Sequence, residues 1–487
     1  MYATRTTTES PARPVTTRTG ELSGMGVEDL IAGYRSETFS PVDVVTDALA
    51  LIDEADGTLH AMEQVYADRA LASAEESAGR WRAGAPLSEV DGIPVTLKEN
   101  QQVEGIPTPW GSAATVPVPA TENAPLVDKL IAAGMPLLGR TVMPELGMLS
   151  SGVSSLHPIA RNAWNPAWSP GGSTSGGGAA AAAGYAPINF GSDIGGSVRL
   201  PASWNGAVGF KPTFGRIPVD PPYFGRHIGP LGRSVADLAR AMTVCTGPDY
   251  RDPYSLPAVE VPWTQASFEP RGARIGLVLD VGDGADVDPE VAAAVSGAAK
   301  VFEAAGAIVE IIPPYLERGE IDLIDLFWRI GHWNDYQRLP EDRRGLMLPF
   351  IAEWCRGGAG IGGEDAVRSA DEQLHMARTT LAATKGYNVI LSPVSPGAAF
   401  PAEWPMPSND VNDPMSHIGF CVVYNMSGQP AVSINCGFTS TGSPIGLQVA
   451  AQRYDDLTAL GAAAFYEANR PAEAVRPWPR VWETMPA

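Results

Sequence analysis

Two clusters of glycine and serine hold most of the chemistry this chain offers. Residues 171–178 read Gly-Gly-Ser-Thr-Ser-Gly-Gly-Gly, and residues 191–201 read Gly-Ser-Asp-Ile-Gly-Gly-Ser-Val-Arg-Leu-Pro, with the alanine run 179–183 between them. Small residues let backbones approach closely, and glycine lets successive N–H groups turn toward one point. Such a nest suits a developing negative charge, the requirement of an oxyanion hole. A serine at the end of the nest is then a candidate nucleophile. Either cluster alone reads as a structural turn; the pair, joined by a small-residue helix, is a less ordinary pattern.

A nucleophilic serine needs a base. The histidines nearest this region, His157 and His227, stand in no triad context. Lys98 ends the apolar run that follows Asp91-Gly92, and it is one of only five lysines (Lys98, Lys129, Lys211, Lys300, Lys385). Burial disfavours the ammonium form and leaves a neutral amine able to take a proton. Ser–Lys variants of the hydrolytic triad use that chemistry. The plainer reading of Lys98 is an ion pair beside Glu99.

Other sites are excluded by the same reading. No Gly-Lys dipeptide occurs, so there is no Walker-A loop, and residues 358–363 match G-x-G-x-x-G only after a helix-like segment, which defeats the dinucleotide reading. No H-E-x-x-H or G-x-S-x-G is present, and the six histidines are scattered. The four cysteines (Cys245, Cys355, Cys421, Cys436) form no C-x-x-C pair and read as buried apolar residues of a reducing compartment. Neither a metal nor a cofactor is expected. With 55 acidic against 34 basic residues, the net charge of −21 repels phosphate backbones and anionic membranes. Nucleic acid and membrane are therefore not expected partners, and the expected location is cytoplasmic.

The elements that must position these residues follow from local signals. Residues 1–22 are Thr-rich without an apolar run and read as a flexible tail. Ser40-Pro41-Val42-Asp43 is a helix start, with Val44, Val45, Ala48 and Ile52 on one face. Further helices are expected near 66–82, 291–302, 371–383 and 457–469, and residues 123–138 read as helical and then apolar, with Gly134 as the stop. Residues 431–434 and 445–449 read as strands joined by a turn at 439–443. No repeat is present, and the class is α/β.

The block with Gly172-Ser173 and Asp193-x-Gly195-Gly196-Ser197-Val198-Arg199-x-Pro201 resembles the signature of the amidase signature family. Residues 92–100, 209–216, 229–238, 425–431 and 444–448 are similar to the family's flanking blocks, in order, so the resemblance spans 26–469. It implies a large mixed β-sheet core covered by helices on both faces. It also implies one amidase signature domain over 23–487, with a variable substrate-side region at about 248–396.

By position, the resemblance makes Ser197 the nucleophile, Lys98 the terminal base and Ser173 the bridging serine after a cis peptide bond. Ser173 lies 24 residues before Ser197, the separation the resemblance implies for the pair, which selects it over Ser175. The N–H groups of Ile194, Gly195, Gly196 and Ser197 would form the oxyanion hole, with Asp193 and Arg199 supporting the loop. Gly147, Met148, Leu149 and Ser150 would line the acyl pocket, and Trp328, Trp333 and Trp354 offer an aromatic wall. Thr174 and Ala181 depart from the family pattern and bear on local packing. The implied activity is hydrolysis of an amide-type C–N bond (amide, aryl amide, carbamate or ester relatives) in a bulky apolar small molecule. The rival reading is the amidase subunit of a tRNA-dependent amidotransferase. A monomer or homodimer is expected.

Overall fold

The computed structural model describes residues 18–483. The helix Pro41–Leu59 begins as its sequence dictates: Ser40 Oγ accepts from the Asp43 N–H while the Asp43 carboxylate accepts from the Ser40 N–H, a capping box with Pro41 at the first position. Residues 1–17 of the expected tail lie outside the described residues. Residues 18–22 are fastened rather than flexible. Gly20 and Leu22 donate their N–H groups to the Asp47 carboxylate, and Arg18 pairs with Glu483 at 2.7 Å.

Eleven strands form one mixed sheet. In chain order they are β1 (Met62–Val65), β2 (Val95–Lys98), β3 (Leu137–Thr141), β4 (Ile188–Asp193), β5 (Val208–Lys211), β6 (His227–Gly232), β7 (Arg274–Leu277), β8 (Ile308–Ile311), β9 (Val389–Pro393), β10 (Ala431–Phe438) and β11 (Pro444–Ala451). Their spatial order is β1-β3-β2-β4-β6-β5-β10-β11-β9-β7-β8. The expected strands at 431–434 and 445–449 are the cores of β10 and β11. The variable region contributes β7, β8 and β9 to the same sheet.

Strand alternation shows both faces covered. On β9 and β10, Val389, Leu391, Val432 and Ile434 belong to one buried cluster, while Ile390 and Ala431 belong to another. Successive side chains point to opposite faces, so the two cores lie on either side of the sheet. β2 runs parallel to both β3 and β4 and is buried along its whole length. Its last residue, Lys98, therefore emerges at the same sheet end as Ser192 and Asp193 of β4, where open α/β sheets place their ligands.

The helix Ser175–Ala183 explains the small-residue run. Every residue in it is buried. A Cβ on Gly176 would sit 2.1 Å from the Ala61 carbonyl oxygen, so only glycine permits that approach. The two departures fit the packing. Thr174 lies against Gly191, where any Cβ would meet its hydroxyl at 2.2 Å, and Ala181 packs with Val198, Ala202, Ala207 and Leu231.

Candidate active site

Lys98 has no solvent exposure and forms no ion pair among the described residues. Its Nζ lies 2.8 Å from Ser173 Oγ and 3.0 Å from Ser192 Oγ. Burial holds the amine well below the ordinary lysine value. The Arg226 charge adds to that, and Asp193 and Glu99 oppose it. The ion pair with Glu99 does not form: Glu99 Oε2 lies 2.9 Å from His157 Nε2, and its other oxygen accepts from the Gly111 N–H. The environment of Lys98 thus favours a neutral amine surrounded by hydroxyls.

Ser173 follows a cis peptide bond to Gly172 and is buried. Ser197 is partly exposed and lines the cavity, and its carbonyl accepts from the Thr174 N–H at 3.1 Å, tying the two serine-bearing loops together. Gly147, at φ +71, brings its backbone close to Ser173: a Cβ there would lie 3.6 Å from Ser173 Oγ and 2.9 Å from Met143 Cε. Ser175 is turned away, donating to the Ser151 carbonyl.

The loop after β4 is held by one saturated polar network. Asp193 accepts from the N–H groups of Gly196 and Val198, from Arg199 Nη2 at 2.8 Å and from Asn425 Nδ2 at 2.9 Å. Arg199 donates further to Asn425 Oδ1, Gln448 Oε1 and the Cys421 carbonyl. The blocks at 425–431 and 444–448 therefore meet at the loop they support. Burial alone would raise the Asp193 carboxyl, but Arg199 and Asn425 pull it well below the carboxylate range. One expectation is corrected here. The Gly196 N–H is spent on Asp193 and is not free for a ligand. The N–H groups of Ile194, Gly195 and Ser197 have no protein acceptor among the described residues.

A cavity of about 470 Å³ opens over these groups. Gly147 and Met148 line it, as expected, but Leu149 and Ser150 do not. Leu149 is buried in an apolar core, and Ser150 Oγ lies 2.6 Å from His417 Nε2, because the turn Glu145–Gly147 reverses the chain and sends them inward. Leu146 takes the place at the wall instead. Of the three tryptophans only Trp328 is there; Trp354 is buried with its N–H on Asp325, and Trp333 stacks on Tyr336.

Several lining residues carry no signal in the sequence motifs. Trp328, Gly331, His332 and Asp335 share one face of the helix Glu320–Arg338, a spacing of three and four that the sequence carries. Ser192 accepts from both Lys98 and Asn100 Nδ2. Arg226 and Trp110 face each other, with Arg226 Cζ 5.5 Å from the ring centroid.

Residues 43–460 match the Amidase family. The chain is 32% identical over 467 residues to an acylamidase of Rhodococcus erythropolis, covering 94% of this chain and 96% of that protein. It is 31% identical over 481 residues to a glutamyl-tRNA(Gln) amidotransferase subunit of Synechococcus sp. (strain CC9605), covering 91% and 97%. Among solved structures it resembles a bacterial aryl acylamidase of the amidase signature family, with a TM-score of 0.83, 27% identity and coverage of 93% and 99%. It also resembles 6-aminohexanoate cyclic dimer hydrolase in complex with its substrate, with a TM-score of 0.84, 27% identity and coverage of 94% and 99%. A match over most of the chain, the mixed sheet and the serine-rich loops at its strand ends agree: this protein belongs to the amidase signature family of hydrolases.

Proposed function

We propose that the chain hydrolyses amide-type C–N bonds of small apolar molecules through an acyl-enzyme on Ser197. The observation that carries this reading is the 2.8 Å contact between Lys98 Nζ and Ser173 Oγ at the wall of the cavity that Ser197 shares. Neutral Lys98 takes the Ser173 proton as Ser173 takes the proton of Ser197, and Ser197 Oγ bonds to the carbonyl carbon. The N–H groups of Ile194, Gly195 and Ser197 receive the oxyanion. The C–N bond then breaks, the proton returns through the relay to the leaving amine, and water releases the acyl group by the same route. Aryl amides, carbamates and esters are the substrate classes to assay, since Trp110, Met148, Leu146 and Trp328 give the cavity apolar walls.

The rival reading, a partner-dependent amidotransferase component, draws on the amidotransferase relatives. The acidic surface disfavours it, because tRNA would meet a chain of net charge −21. One experiment addresses both. The purified protein, alone, is assayed on matched p-nitroanilide, aryl carbamate and primary amide substrates, beside Ser197→Ala and Lys98→Ala. Turnover lost in both variants is the expected result. Full activity in Ser197→Ala would overturn the mechanism, and absence of turnover by the unaccompanied chain would favour the amidotransferase reading.

A further inference from the structure

Arg226 immediately precedes β6 and lines the same cavity as Lys98, Ser173 and Ser197. It is only 9% exposed. A guanidinium carries five N–H donors and stays charged. Among the described residues just one of these is used, from Nη1 to the Pro221 carbonyl at 2.9 Å, and Nη2 is buried without a partner. Buried polar groups are nearly always satisfied, and a buried charge is costly unless paired. No carboxylate of the described chain lies within ion-pair distance of this one.

The neighbouring charges are engaged elsewhere. Asp193 is held by Arg199 and Glu99 by His157, and Lys98 faces serines. Asp220 attracts Arg226 only from a distance. Asp335, the other carboxylate on the cavity wall, is 58% exposed and sits near His332 and Arg338. The contrast with Arg199, whose donors are met by Asp193, Asn425, Gln448 and the Cys421 carbonyl, is complete. The unmet donors of Arg226 belong to a group that has no carboxylate partner among the described residues but does have a cavity beside it.

We propose that Arg226 is a specificity-determining residue that receives a second oxygen acceptor of the substrate, away from the scissile bond. The inference rests on the hydrolase reading above. It refines the substrate class: an amide whose acyl or amine part carries a carboxylate or a carbonyl oxygen within an otherwise apolar body. A charge-assisted bond is stronger than a neutral one, so a carboxylate ranks above an ester carbonyl, and an ester above an alkyl group of the same size. Trp110 lies against the guanidinium, its ring centroid 5.5 Å from Arg226 Cζ.

Two matched substrate series test this. On the acyl side, the p-nitroanilides of succinic acid, its methyl ester and pentanoic acid are compared. On the amine side, the butyramides of 4-aminobenzoic acid, its methyl ester and p-toluidine are compared. In the wild-type protein, kcat/KM in at least one series should fall from acid to ester to alkyl, with about 10- to 100-fold between the ends. Arg226→Met should collapse that ratio, and Arg226→Lys should restore part of it. Ratios within one variant are compared, so any loss common to all members cancels. Equal kcat/KM across both wild-type series, or a ranking retained in Arg226→Met, would overturn the proposal. Turnover of the alkyl members that survives Ser197→Ala would instead count against the hydrolase mechanism, so the two failures are separable.

Discussion

Two strands of the sheet end on a buried lysine, β2 on Lys98 and β5 on Lys211, and neither side chain has any solvent exposure. Burial lowers both amines well below the ordinary lysine value, with Arg226 adding to the effect at Lys98 and Arg199 at Lys211. Their partners differ. Lys211 Nζ donates to the carbonyls of Gln429 at 2.6 Å and Pro212 at 3.2 Å, and lies 3.1 Å from His227 Nε2. His227 in turn is fixed by its Nδ1, 2.8 Å from the Gly225 carbonyl. None of these groups lines the cavity. Lys98 faces two hydroxyls, Ser173 and Ser192, and both residues line the cavity with Ser197.

A depressed amine pKa therefore does not by itself mark a base. Carbonyl oxygens can only accept, so Lys211 is a tie between β5 and the segment before β10. A hydroxyl can give up its own proton, so Lys98 has something to take. The same division separates Arg199, saturated and structural, from Arg226, unsatisfied and facing the cavity.

Substitution at Lys98 should separate the two lysines most widely. Lys98→Ala and Ser197→Ala should each lower kcat/KM by about 10⁴-fold or more, because such groups act as a unit. Their thermal midpoints should stay near that of the parent. A Lys98→Ala protein that loses its fold and not its rate per folded molecule would make Lys98 another Lys211.

Lys211→Met should do the reverse. It strands the Gln429 and Pro212 carbonyls and should cost about 2–4 kcal/mol in denaturant unfolding. The surviving folded protein should turn over within a few-fold of the parent rate. A large rate loss at unchanged stability would put Lys211 in the chemistry.

Ser192→Ala is a smaller perturbation, removing an acceptor shared by Lys98 and Asn100. A fall of about 10-fold in kcat, with KM little changed, is expected, the cost of one modest hydrogen bond. An unchanged kcat would show that Ser173 alone positions the amine.

A subtler change is expected in the pH profile. Lys98 acts as a base only when neutral, so kcat/KM should fall as the pH drops below its depressed pKa. The Arg226 charge holds that pKa down. Arg226→Met should let it rise, and the acid limb should move to higher pH. A limb that stays in place would remove Arg226 from the electrostatics of Lys98.

Much of this site is legible in the sequence because its residues sit in short contiguous blocks. The turn at 91–92 feeding an apolar strand locates Lys98, and the glycine pattern of 191–201 locates Ser197 and its loop. What the blocks hide is pairing across the sheet. Ser192 lies within the second glycine-rich block, but its bond to Lys98 exists only because β2 and β4 run parallel and end together. The family resemblance puts Leu149 and Ser150 at the cavity wall, and it fails there because Leu146 and Gly147 both adopt positive φ and reverse the chain. By sequence Trp328, Trp333 and Trp354 are equals. Only the full extent of the helix Glu320–Arg338 shows which residues share its cavity face. Arg226 gives no local signal at all, since lacking a carboxylate partner is a property of the assembled fold.

The sharpest test of the relay is reaction with a fluorophosphonate across a range of pH, with the modified residue located by peptide mass spectrometry. Phosphonylation with loss of fluoride requires an activated serine hydroxyl and no particular amide substrate. A single adduct on Ser197 is expected, formed more slowly as the pH falls through the depressed Lys98 pKa and lost in Lys98→Ala. An adduct on Ser173, or labelling of Ser197 at an undiminished rate in Lys98→Ala, would contradict it.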